Sequence, residues 1–380
     1  MSELSYLEKL LDGVEVEWVT LGSMADIGTG SSNRQDESEN GIYPFYVRSK
    51  NILKSDTFEF DEVAIVIPGE GGIGDIFHYV EGKYALHQRA YRIRITTNAV
   101  DTKFLYYFMS SSFKQYILTK SVGATAISIR KPMLEGFKVP IPSPDNPEKS
   151  LAIQSEIVRI LDKFTALTAE LTAELNMRKK QYNYYRDQLL SFKEGEVEWK
   201  TLGEVAKIQR GASPRPIVNY LTEQGNGIPW IKIGDTIPGS KYIDKTLQKI
   251  TAEGAQKSRI LNPGDFVISN SMSFGRPYIL RITGAIHDGW ASISNFGEKL
   301  NTDYLYHYLS SKKVKNYWES KINSGSVSNL NADIIKTLPV PLPDKQKQER
   351  ISALLDKFDT LTNSITEGLP REIELRQKQY

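Results

Sequence analysis

Three side chains in the first half of the chain have the residue types of a metal-dependent nuclease site. Asp61, Glu81 and Lys83 match the acid, acid, lysine set of many such enzymes. A later segment that repeats this one, described below, has Arg281-Ile-Thr-Gly at the equivalent place. Acidic pairs at so loose a spacing are common by chance. A catalytic metal site is therefore an alternative that the sequence does not favour.

A glycine-rich stretch, "PGEGGIGD" (68–75), resembles a loop that cradles phosphates after a strand. It lacks the Lys-Ser/Thr of a P-loop, and its glycines do not give G-x-G-x-x-G before a helix. The repeated segment reads "SNSMSFGRP" (269–277), keeping Gly275 opposite Gly74 and losing the other glycines. A turn is the favoured interpretation, and Arg276 is a candidate to contact a DNA phosphate or a guanine.

No other catalytic set is found. The chain has no cysteine and four histidines, none spaced like a metal pair, so we predict no metal site. The Asn/Asp-Pro-Pro-aromatic motif of adenine-N6 methyltransferases is missing, with "DNPEK" (145–149) as the nearest match. His87 and His287 align between the repeated segments, and a structural role in a strand or turn is favoured over ligand contact. We expect no catalytic residue.

Loops rich in arginine and small polar residues are the best candidates for DNA contacts. One loop follows the first strand of each half, "GTGSSNRQD" and "RGASPRP", and another precedes the end of each half, "SIRKP" and "SNLNAD". With Arg276, the candidates are Ser32, Asn33, Arg34, Arg130, Lys131, Ser213, Arg215, Asn329 and Asn331. Solvated loops without a ligand are the alternative for each of them.

Charge is unevenly distributed along the chain. Residues 200–345 carry 19 Lys/Arg against 12 Asp/Glu, whereas residues 18–149 carry 15 of each. A basic excess of seven favours a polyanionic partner for the second half, although solubility also explains such an excess. No apolar run approaches the 18 residues of a membrane span, and no signal peptide is visible, which predicts a cytoplasmic protein.

The chain contains the same order of segments twice. Each half begins with Glu-Val-Glu-Trp and runs through a variable body to a proline-rich turn and a long helix. The matching pairs are "VEVEWVTLGSMADIGTG" (14–30) with "GEVEWKTLGEVAKIQRG" (195–211), "FLYYFMSS" (104–111) with "YLYHYLSS" (304–311), "VPIP" (139–142) with "VPLP" (340–343), "LDKF" (161–164) with "LDKF" (355–358), and "RKKQY" (178–182) with "RQKQY" (376–380).

Apolar residues at spacings of three and four predict a helix from about Ser150 to Phe192. At about 1.5 Å per residue, such a helix is roughly 65 Å long and needs a partner for its apolar stripe. The second copy starts near Asp344, and Gly368 and Pro370 are expected to kink or interrupt it. We predict an antiparallel pair of helices that joins two similar α+β bodies.

These features resemble the specificity subunit of type I restriction–modification enzymes. The resemblance covers the whole chain and rests on the doubled layout, on "QSEIVRILDKF" and "QERISALLDKF" after each proline-rich turn, and on "RKKQYNYYRDQLLSFKEGEVEWKTLGE" (178–204). "TAELTAEL" with that central stretch is most similar to the IC branch. The resemblance to the family implies a non-catalytic subunit whose two target-recognition domains each read one half of a split DNA site.

The resemblance assigns the segments of the chain as follows: a short N-terminal helix completing the cyclic repeat (1–17), target-recognition domain 1 (18–149), a central spacer helix (150–194), target-recognition domain 2 (195–343) and a distal spacer helix (344–380). It implies that the helices dock two adenine-N6 methyltransferase subunits that bind S-adenosylmethionine. Motor–nuclease subunits using ATP and Mg²⁺ attach to those. The chain itself is expected to bind double-stranded DNA and no cofactor.

The apolar stripes supply the predicted spacer and docking residues, namely Leu161, Phe164, Leu167, Leu171, Leu175, Tyr182, Leu355, Phe358 and Leu361. Within the first stripe, "TALTAELTAEL" (165–175) repeats a tetrad. One tetrad adds about 6 Å of helix and about 400° of turning, so the stripe returns to nearly the same face. As in the family, the number of tetrads is expected to set the gap between the half-sites. The open alternatives are a stand-alone DNA-binding scaffold and a metal-dependent nuclease built on Asp61, Glu81 and Lys83.

Overall fold

The computed structural model describes residues 11–72, 74–120, 128–223, 225–237, 239–270, 275–323, 329–364 and 366–379. The chain divides into two compact units, Met1–Ala166 and Leu167–Tyr380. Residues 1–10 of the N-terminal helix expected over 1–17 lie outside the described residues, and residues 16 and 17 belong to a strand. Across the part of the chain that is described, no helix is long and apolar enough to cross a membrane.

The first unit combines strands and helices, as the α+β prediction requires. Its strands are β1 (Val16–Thr20), β2 (Ala25–Thr29), β3 (Tyr43–Tyr46), β4 (Leu53–Ser55), β5 (Phe60–Pro68), β6 (His78–Leu86), β7 (Ala90–Ile95) and β8 (Lys138–Pro142). Its helices are α1 (Thr102–Lys120), α2 (Lys131–Glu135) and the beginning of α3 (Pro147–Leu189), with 3-10 turns at Leu21–Ser23 and Arg34–Asp36.

Strands β2 to β7 form one sheet in the order β2-β7-β5-β6-β3-β4. β3 and β6 are parallel, and the other neighbours are antiparallel. The end of β5, Ala64–Pro68, is fully buried and uninterruptedly apolar because both faces of the strand are covered. Ile65 packs in the cluster that contains Phe113 of α1, and Val66 packs in a separate cluster with Tyr84.

The second unit has more strands, arranged in smaller sheets. Its strands are β9 (Glu198–Thr201), β10 (Lys207–Arg210), β11 (Leu221–Thr222), β12 (Ile228–Ile231), β13 (Tyr242–Ile243), β14 (Gln248–Ile250), β15 (Arg259–Leu261), β16 (Phe266–Ser269), β17 (Pro277–Leu280), β18 (Gly284–Ile286), β19 (Trp290–Ser294) and β20 (Pro339–Leu342). They form sheets in the orders β10-β19-β16-β17-β13 and β11-β14-β12-β18-β15.

The helices of the second unit follow the strands. They are α4 (Leu202–Val205), α5 (Ala252–Gln256), α6 (Thr302–Leu309), α7 (Lys312–Asn323), α8 (Ala332–Lys336), α9 (Lys345–Asn363) and α10 (Leu369–Gln379), with 3-10 turns at Ile217–Asn219 and Ile233–Asp235. Phe266 and Ile293 of the sheet, Tyr304 of α6, Leu355 of α9 and Tyr182 of α3 share one buried cluster. The globular body of this unit is therefore built directly onto the helices.

The repeated Glu-Val-Glu-Trp and proline-rich motifs are strand partners. β1 pairs with β8, which places Trp18 opposite Pro140, and β9 pairs with β20, which places Trp199 opposite Pro341. The two prolines lie on strands with a single ladder partner, where a missing N–H is tolerated. Each two-stranded ribbon therefore joins the start of a body to its end, which explains why both motifs recur in both halves.

The structure contains the long helices that the apolar periodicity predicts. α3 runs from Pro147 to Leu189, close to the predicted 150–192. α9 begins after Asp344, whose carboxylate caps the helix by accepting from the Lys347 backbone N–H (2.8 Å). The expected interruption is confirmed, since α9 ends at Asn363 and α10 starts at Leu369. Gly368 occupies the left-handed region (φ +81°) at the break.

Within the second unit, the C-terminal part of α3 and α9 run antiparallel. Tyr182 stacks on Phe358 with ring centroids 6.4 Å apart, and Lys347 lies 5.0 Å from the ring centre of Phe192. Later residues of the first segment thus meet earlier residues of the second. These contacts agree with the predicted helix pairing inside that unit, and a helix pair that joins the two bodies stays a prediction.

Candidate nucleic-acid interface

Both bodies hold the loop after β2 or β10 in the same way. Gly30 approaches Leu86 so closely that a Cβ would lie 1.8 Å from its carbonyl oxygen. Gly211 approaches His287 equally closely, and a Cβ there would lie 2.0 Å from the His287 oxygen. A side chain at either glycine would push the loop off the sheet. The glycines thus fix where each candidate loop leaves its body.

The aligned histidines shape the turn beside these loops. His87 Nδ1 accepts from the Arg89 backbone N–H (3.0 Å), and His287 Nδ1 accepts from the Gly289 backbone N–H (2.9 Å). Burial, reinforced by the charges of Arg48 and Arg89, lowers the pKa of His87 and keeps its ring neutral as this acceptor role requires. Both histidines therefore help to form a turn, as the favoured interpretation predicts.

In the first body, the candidate loop is ordered by carboxylates. Ser32 bonds to Glu59 through both its backbone N–H and its hydroxyl. Asn33 caps the turn Arg34–Asp36, and its backbone N–H donates to Asp36 (2.6 Å). The side chain of Arg34 remains 82% exposed, with Glu37 3.6 Å away. Of the three predicted residues, Arg34 is the most exposed, whereas Ser32 and Asn33 are partly buried and also hold the loop in shape.

A cluster of arginines that the sequence analysis missed lies beside this loop. Arg48 and Arg89 both bind Glu70, at 2.9 and 3.2 Å, and all three side chains are about half exposed. Arg34, Arg48, Glu70 and His87 line a common cleft of about 350 Å³. We call Arg34, Arg48, Arg89 and Glu70 the Glu70 cluster. It is basic, although the body as a whole is neutral.

The predicted pair Arg130 and Lys131 belongs to the same region. The Ile129 backbone N–H donates to Gly69 (2.8 Å), and Ser128 forms a bridge with Glu70. Both basic side chains are exposed at the start of α2. The loop "PGEGGIGD" is a turn, as predicted, because Gly71, Gly72 and Gly74 all have positive φ. Backbone pairing therefore brings two candidate loops together.

In the second body, one carboxylate organises the candidate loop. Asp288 accepts from Ser213 (3.0 Å) and from Arg215 (3.3 Å), whose side chain is 83% exposed. Burial alone would raise the pKa of Asp288, but the hydrogen bond from Ser213 and the charges of His287 and Arg215 outweigh it and hold the pKa low. We call Ser213, Arg215 and Asp288 the Asp288 cluster.

The remaining candidates of the second body are placed differently. Asn329 is exposed, whereas the Asn331 side chain caps α8 by accepting from the Ile334 backbone N–H (2.9 Å). Arg276 donates to the Ser240 carbonyl (3.3 Å) and lines a cleft with Tyr182 of α3. Arg276 thus lies at the junction of the body with the helices and not in the Asp288 cluster.

The nuclease alternative gains no support from the geometry. Asp61 lies opposite Lys83 and Val63 lies opposite Glu81 in the β5–β6 ladder, on an exposed face. Lys83 sits 4.6 Å from the ring centre of Phe58. Among the residues described here, no group of three His, Asp or Glu side chains is arranged to hold a metal ion.

The predicted docking stripe divides into buried and accessible residues. Leu171, Tyr182 and Leu355 are 9% exposed or less, so they pack within the chain. Leu161, Phe164, Leu167, Leu175, Phe358 and Leu361 are half-buried. Large apolar side chains of the helices that the sequence analysis did not single out are more exposed: Met177 (56%), Tyr184 (61%), Leu354 (43%) and Leu375 (45%).

A repeated pair of side chains fastens each body to its helix. In the first unit, Gln154 accepts from the Asp101 backbone N–H (2.8 Å) and donates to the Ala99 carbonyl (2.9 Å). In the second, Gln348 accepts from the Asn301 backbone N–H (2.7 Å) and donates to the Lys299 carbonyl (2.9 Å). Two helical turns later, Asp162 and Asp356 each bind two further groups of their body.

Comparison with known proteins assigns this architecture to a family. The model of the type I restriction modification DNA specificity domain matches twice, over residues 13–178 and 194–375. The chain is 40% identical to the type I restriction enzyme EcoR124I/EcoR124II specificity subunit of Escherichia coli, covering 100% of this chain and 96% of that protein. It is 35% identical to the E. coli EcoprrI specificity subunit, over 97% and 93% of the two chains.

Solved structures share the fold. A type I restriction–modification S subunit from M. genitalium superposes with a TM-score of 0.60 at 16% identity, covering 97% of this chain and 92% of that one. A chain from a structure of the type I R-M system superposes with a TM-score of 0.56 at 17% identity, covering 96% and 95%. The protein belongs to the family of type I restriction–modification DNA specificity subunits. Members are the DNA-recognition subunits of their complexes and are not themselves catalytic.

Proposed function

We propose that each body of this specificity subunit reads one half of a split DNA site. The observation that carries the proposal is the shared loop scaffold: a close-approach glycine and an aligned histidine present different polar residues in the two bodies. The residues proposed for the first body are Ser32, Asn33, Arg34, Arg48, Arg89, Arg130 and Lys131. Ser213, Arg215, Arg276, Asn329 and Asn331 serve the second, with Asn331 acting through the helix that it caps.

The helices are proposed to set the gap between the half-sites and to dock two adenine-N6 methyltransferase subunits. The doubled layout supports two equivalent partners, because each half offers its own helix. The half-buried stripe of Leu161, Phe164, Leu167, Leu175, Phe358 and Leu361 and the exposed Met177, Tyr184 and Leu354 supply the apolar contact. Buried Leu171, Tyr182 and Leu355 support that surface from within.

The chemistry is assigned to the partners. S-adenosylmethionine is proposed to bind the methyltransferase subunits, and ATP and Mg²⁺ the motor–nuclease subunits, whereas this chain binds double-stranded DNA and no cofactor. The complex then acts on DNA in the cytoplasm. The proposed recognition domains are 18–149 and 195–343, with spacer helices over 150–194 and 344–380.

The test maps N6-methyladenine across the genome of cells that express this chain with its methyltransferase subunit, against cells that lack this chain. We expect methylation at a split motif that depends on the chain. No new methylation despite a soluble complex would contradict the proposal. Tight sequence-specific binding by the lone chain, without methylation, would instead favour the stand-alone scaffold.

Loop variants assign the half-sites. The double variant Asn33→Ala, Arg34→Gln is expected to alter one half of the motif, and Ser213→Ala, Arg215→Gln the other half. Exposed Leu247, on the second body, provides the matched control Leu247→Ser, which leaves both halves unchanged. If either double variant changed both halves, the bodies would not read DNA separately.

A further inference from the structure

The second body contains a cleft from which the DNA-recognition proposal uses Arg276 alone. It has a volume of about 460 Å³ and lies where the body meets α3 and α9. Its walls include Tyr182, Arg186, Arg276, Lys315, Trp318 and Asp359. Cavities of this size commonly hold small ligands. The cleft therefore has room for a ligand of a few atoms up to a nucleotide.

The repeat provides an internal comparison for the charge of this cleft. In the first body, Asp75 follows Gly74 and binds Lys114 at 2.8 Å. Aligning "FKQY" (113–116) with "VKNY" (314–317), after one extra residue in the second copy, makes Lys315 the counterpart of Lys114. The second body also keeps the glycine as Gly275, but Arg276 replaces the aspartate. Lys315 is left with Glu319 on its own helix, 3.7 Å away. Where the first body has an ion pair, the second body has two cations that line one cleft.

Two residues of the lining, Arg186 and Trp318, contain buried donors without a partner among the described residues. The Arg186 side chain is 7% exposed, and its Nε has no hydrogen-bond partner among the described residues, with the nearest carboxylate oxygen, on Asp187, at 3.6 Å. Trp318 is 1% exposed, and its Nε1 has no partner in the same part of the chain. Buried donors without acceptors are costly, so a ligand that supplies acceptors is favoured there.

Asp359 is the one carboxylate among these walls, and it accepts a hydrogen bond from Asn363 (2.9 Å). The described lining thus carries three cations against one anion. Arg276 is oriented by the Ser240 carbonyl (3.3 Å) and by the Tyr278 ring, whose centre lies 5.2 Å from its guanidinium carbon. The guanidinium group of arginine and the ammonium group of lysine commonly bind phosphate in proteins.

We propose that this cleft binds a phosphate group, either of a small free ligand or of the DNA backbone. Arg276 and Lys315 supply the charge that the first body neutralises with Asp75, and Arg186 and Trp318 supply buried donors. The proposal does not rest on the reading of half-sites. The occupied cleft would tie the body to both helices, because its walls come from α3, α9 and the body together.

Calorimetric titration of the full chain with inorganic phosphate, at constant ionic strength set by chloride, tests the proposal. Arg276→Asp restores the residue pair of the first body, and tryptophan fluorescence checks that the variant is folded. We expect saturable binding with one site, weakened at least about tenfold in Arg276→Asp, since an arginine–phosphate contact is lost and a repelling carboxylate gained. Lys114→Gln, the change at the counterpart of Lys315, should leave binding unchanged.

No saturable binding, or equal binding by Arg276→Asp, would overturn the proposal. A second arm identifies the source of the phosphate by measuring the affinity for a random-sequence duplex against salt. If the cleft holds a backbone phosphate, Arg276→Asp lowers that affinity and reduces the salt slope by about one. If it holds a free ligand, phosphate binding is lost while duplex binding is unchanged, and Arg276 is then removed from the proposed DNA contacts.

Discussion

The two junctions between body and helix use the same helix residues and different body residues. Asp162 accepts from Lys103 (2.7 Å) and Tyr107 (2.5 Å). Asp356 accepts from Lys241 (2.8 Å) and His307 (2.9 Å), and His307 also bonds to Tyr182. The helix side of the junction is therefore constant, whereas the body side varies. Such a division suits bodies that diverge in their loops while keeping one way of attachment.

Burial makes the second junction more sensitive than the first to the loss of a charged partner. His307 is completely buried and the Lys241 side chain is 12% exposed, whereas Lys103 is 36% exposed. Burial alone would lower the pKa of Lys241, but its hydrogen bond to Asp356 and the charge of Asp303 raise it well above the usual value. Removing the partner of a buried charge destabilises the fold much more than removing the partner of an exposed charge.

Removing the shared aspartate has the largest expected effect. Asp356→Asn removes the carboxylate partner of His307 and leaves Lys241 with Asp303 alone (3.0 Å), and it should lower the unfolding free energy of the second unit by about 2 kcal/mol. Asp162→Asn should cost the first unit about 1 kcal/mol because its partners reach solvent. Fluorescence reports mainly on the second unit, which contains Trp199, Trp230, Trp290 and Trp318, whereas the first unit contains Trp18. Hydrogen exchange of β5 peptides follows the first.

The exposed ion pair Asp333–Lys336 provides the control for this comparison, since Asp333→Asn should change stability by less than about 0.5 kcal/mol. Equal losses in Asp162→Asn and Asp356→Asn would contradict the difference between the junctions.

Alanine at either close-approach glycine should destabilise its body to a similar extent. In Gly30→Ala and Gly211→Ala the new methyl group meets a carbonyl oxygen, and each is expected to lose about 2 kcal/mol through displacement of the loop. Thermal unfolding measures the loss. Gly28→Ala, with its nearest neighbour at 3.8 Å, and Gly297→Ala, with none within 4 Å, are the matched controls. Wild-type stability in both loop variants would show that the glycines do not fix the loops.

Variants of the Glu70 cluster are expected to have a smaller effect, which concerns DNA affinity. Arg89→Gln removes one exposed cation from the Glu70 cluster and should weaken duplex binding by about 1 kcal/mol, with the salt slope reduced by about one. Glu70→Gln should strengthen binding, because it releases Arg48 and Arg89 from a competing anion. Fluorescence anisotropy across a salt series measures both. Weaker binding in Glu70→Gln would mean that Glu70 positions the arginines.

Acidification gives the smallest expected effect and concerns the first body. Burial lowers the pKa of His78 and of His87, so the folded body binds fewer protons than the unfolded chain. Its stability is therefore full above the unfolded pKa of about 6.5 and falls as the pH decreases below it. Faster hydrogen exchange of β5 peptides at pH 5.5 than at pH 7.5 is expected, and His78→Gln should reduce the difference. An exchange pattern independent of pH in the wild type would contradict this.

Periodicity was sufficient to predict the helices and their interruption, because local sequence determines where α3 ends and where Gly368 breaks the second copy. The repeat also gave the structural role of His87 and His287. It did not reveal that Glu-Val-Glu-Trp pairs with the proline-rich strand, since more than 100 residues separate the two motifs. The same limit hid the Glu70 cluster, in which Arg48, Glu70 and Arg89 come from separate turns.

The docking stripe shows a different limit. Spacing identified Tyr182 and Leu355 as apolar positions of a helix face, but it did not distinguish a face covered by the chain's own body from one left open. That distinction depends on tertiary packing, which also left Met177 and Tyr184 exposed.

The most direct test of two separate readers joined by a spacer is deletion of one tetrad, Thr172–Leu175, followed by mapping of N6-methyladenine. The deletion shortens α3 by about 6 Å while leaving both loop scaffolds intact. We expect a motif with a shorter unspecified gap and the same two half-sites. A changed half-site with an unchanged gap would contradict it.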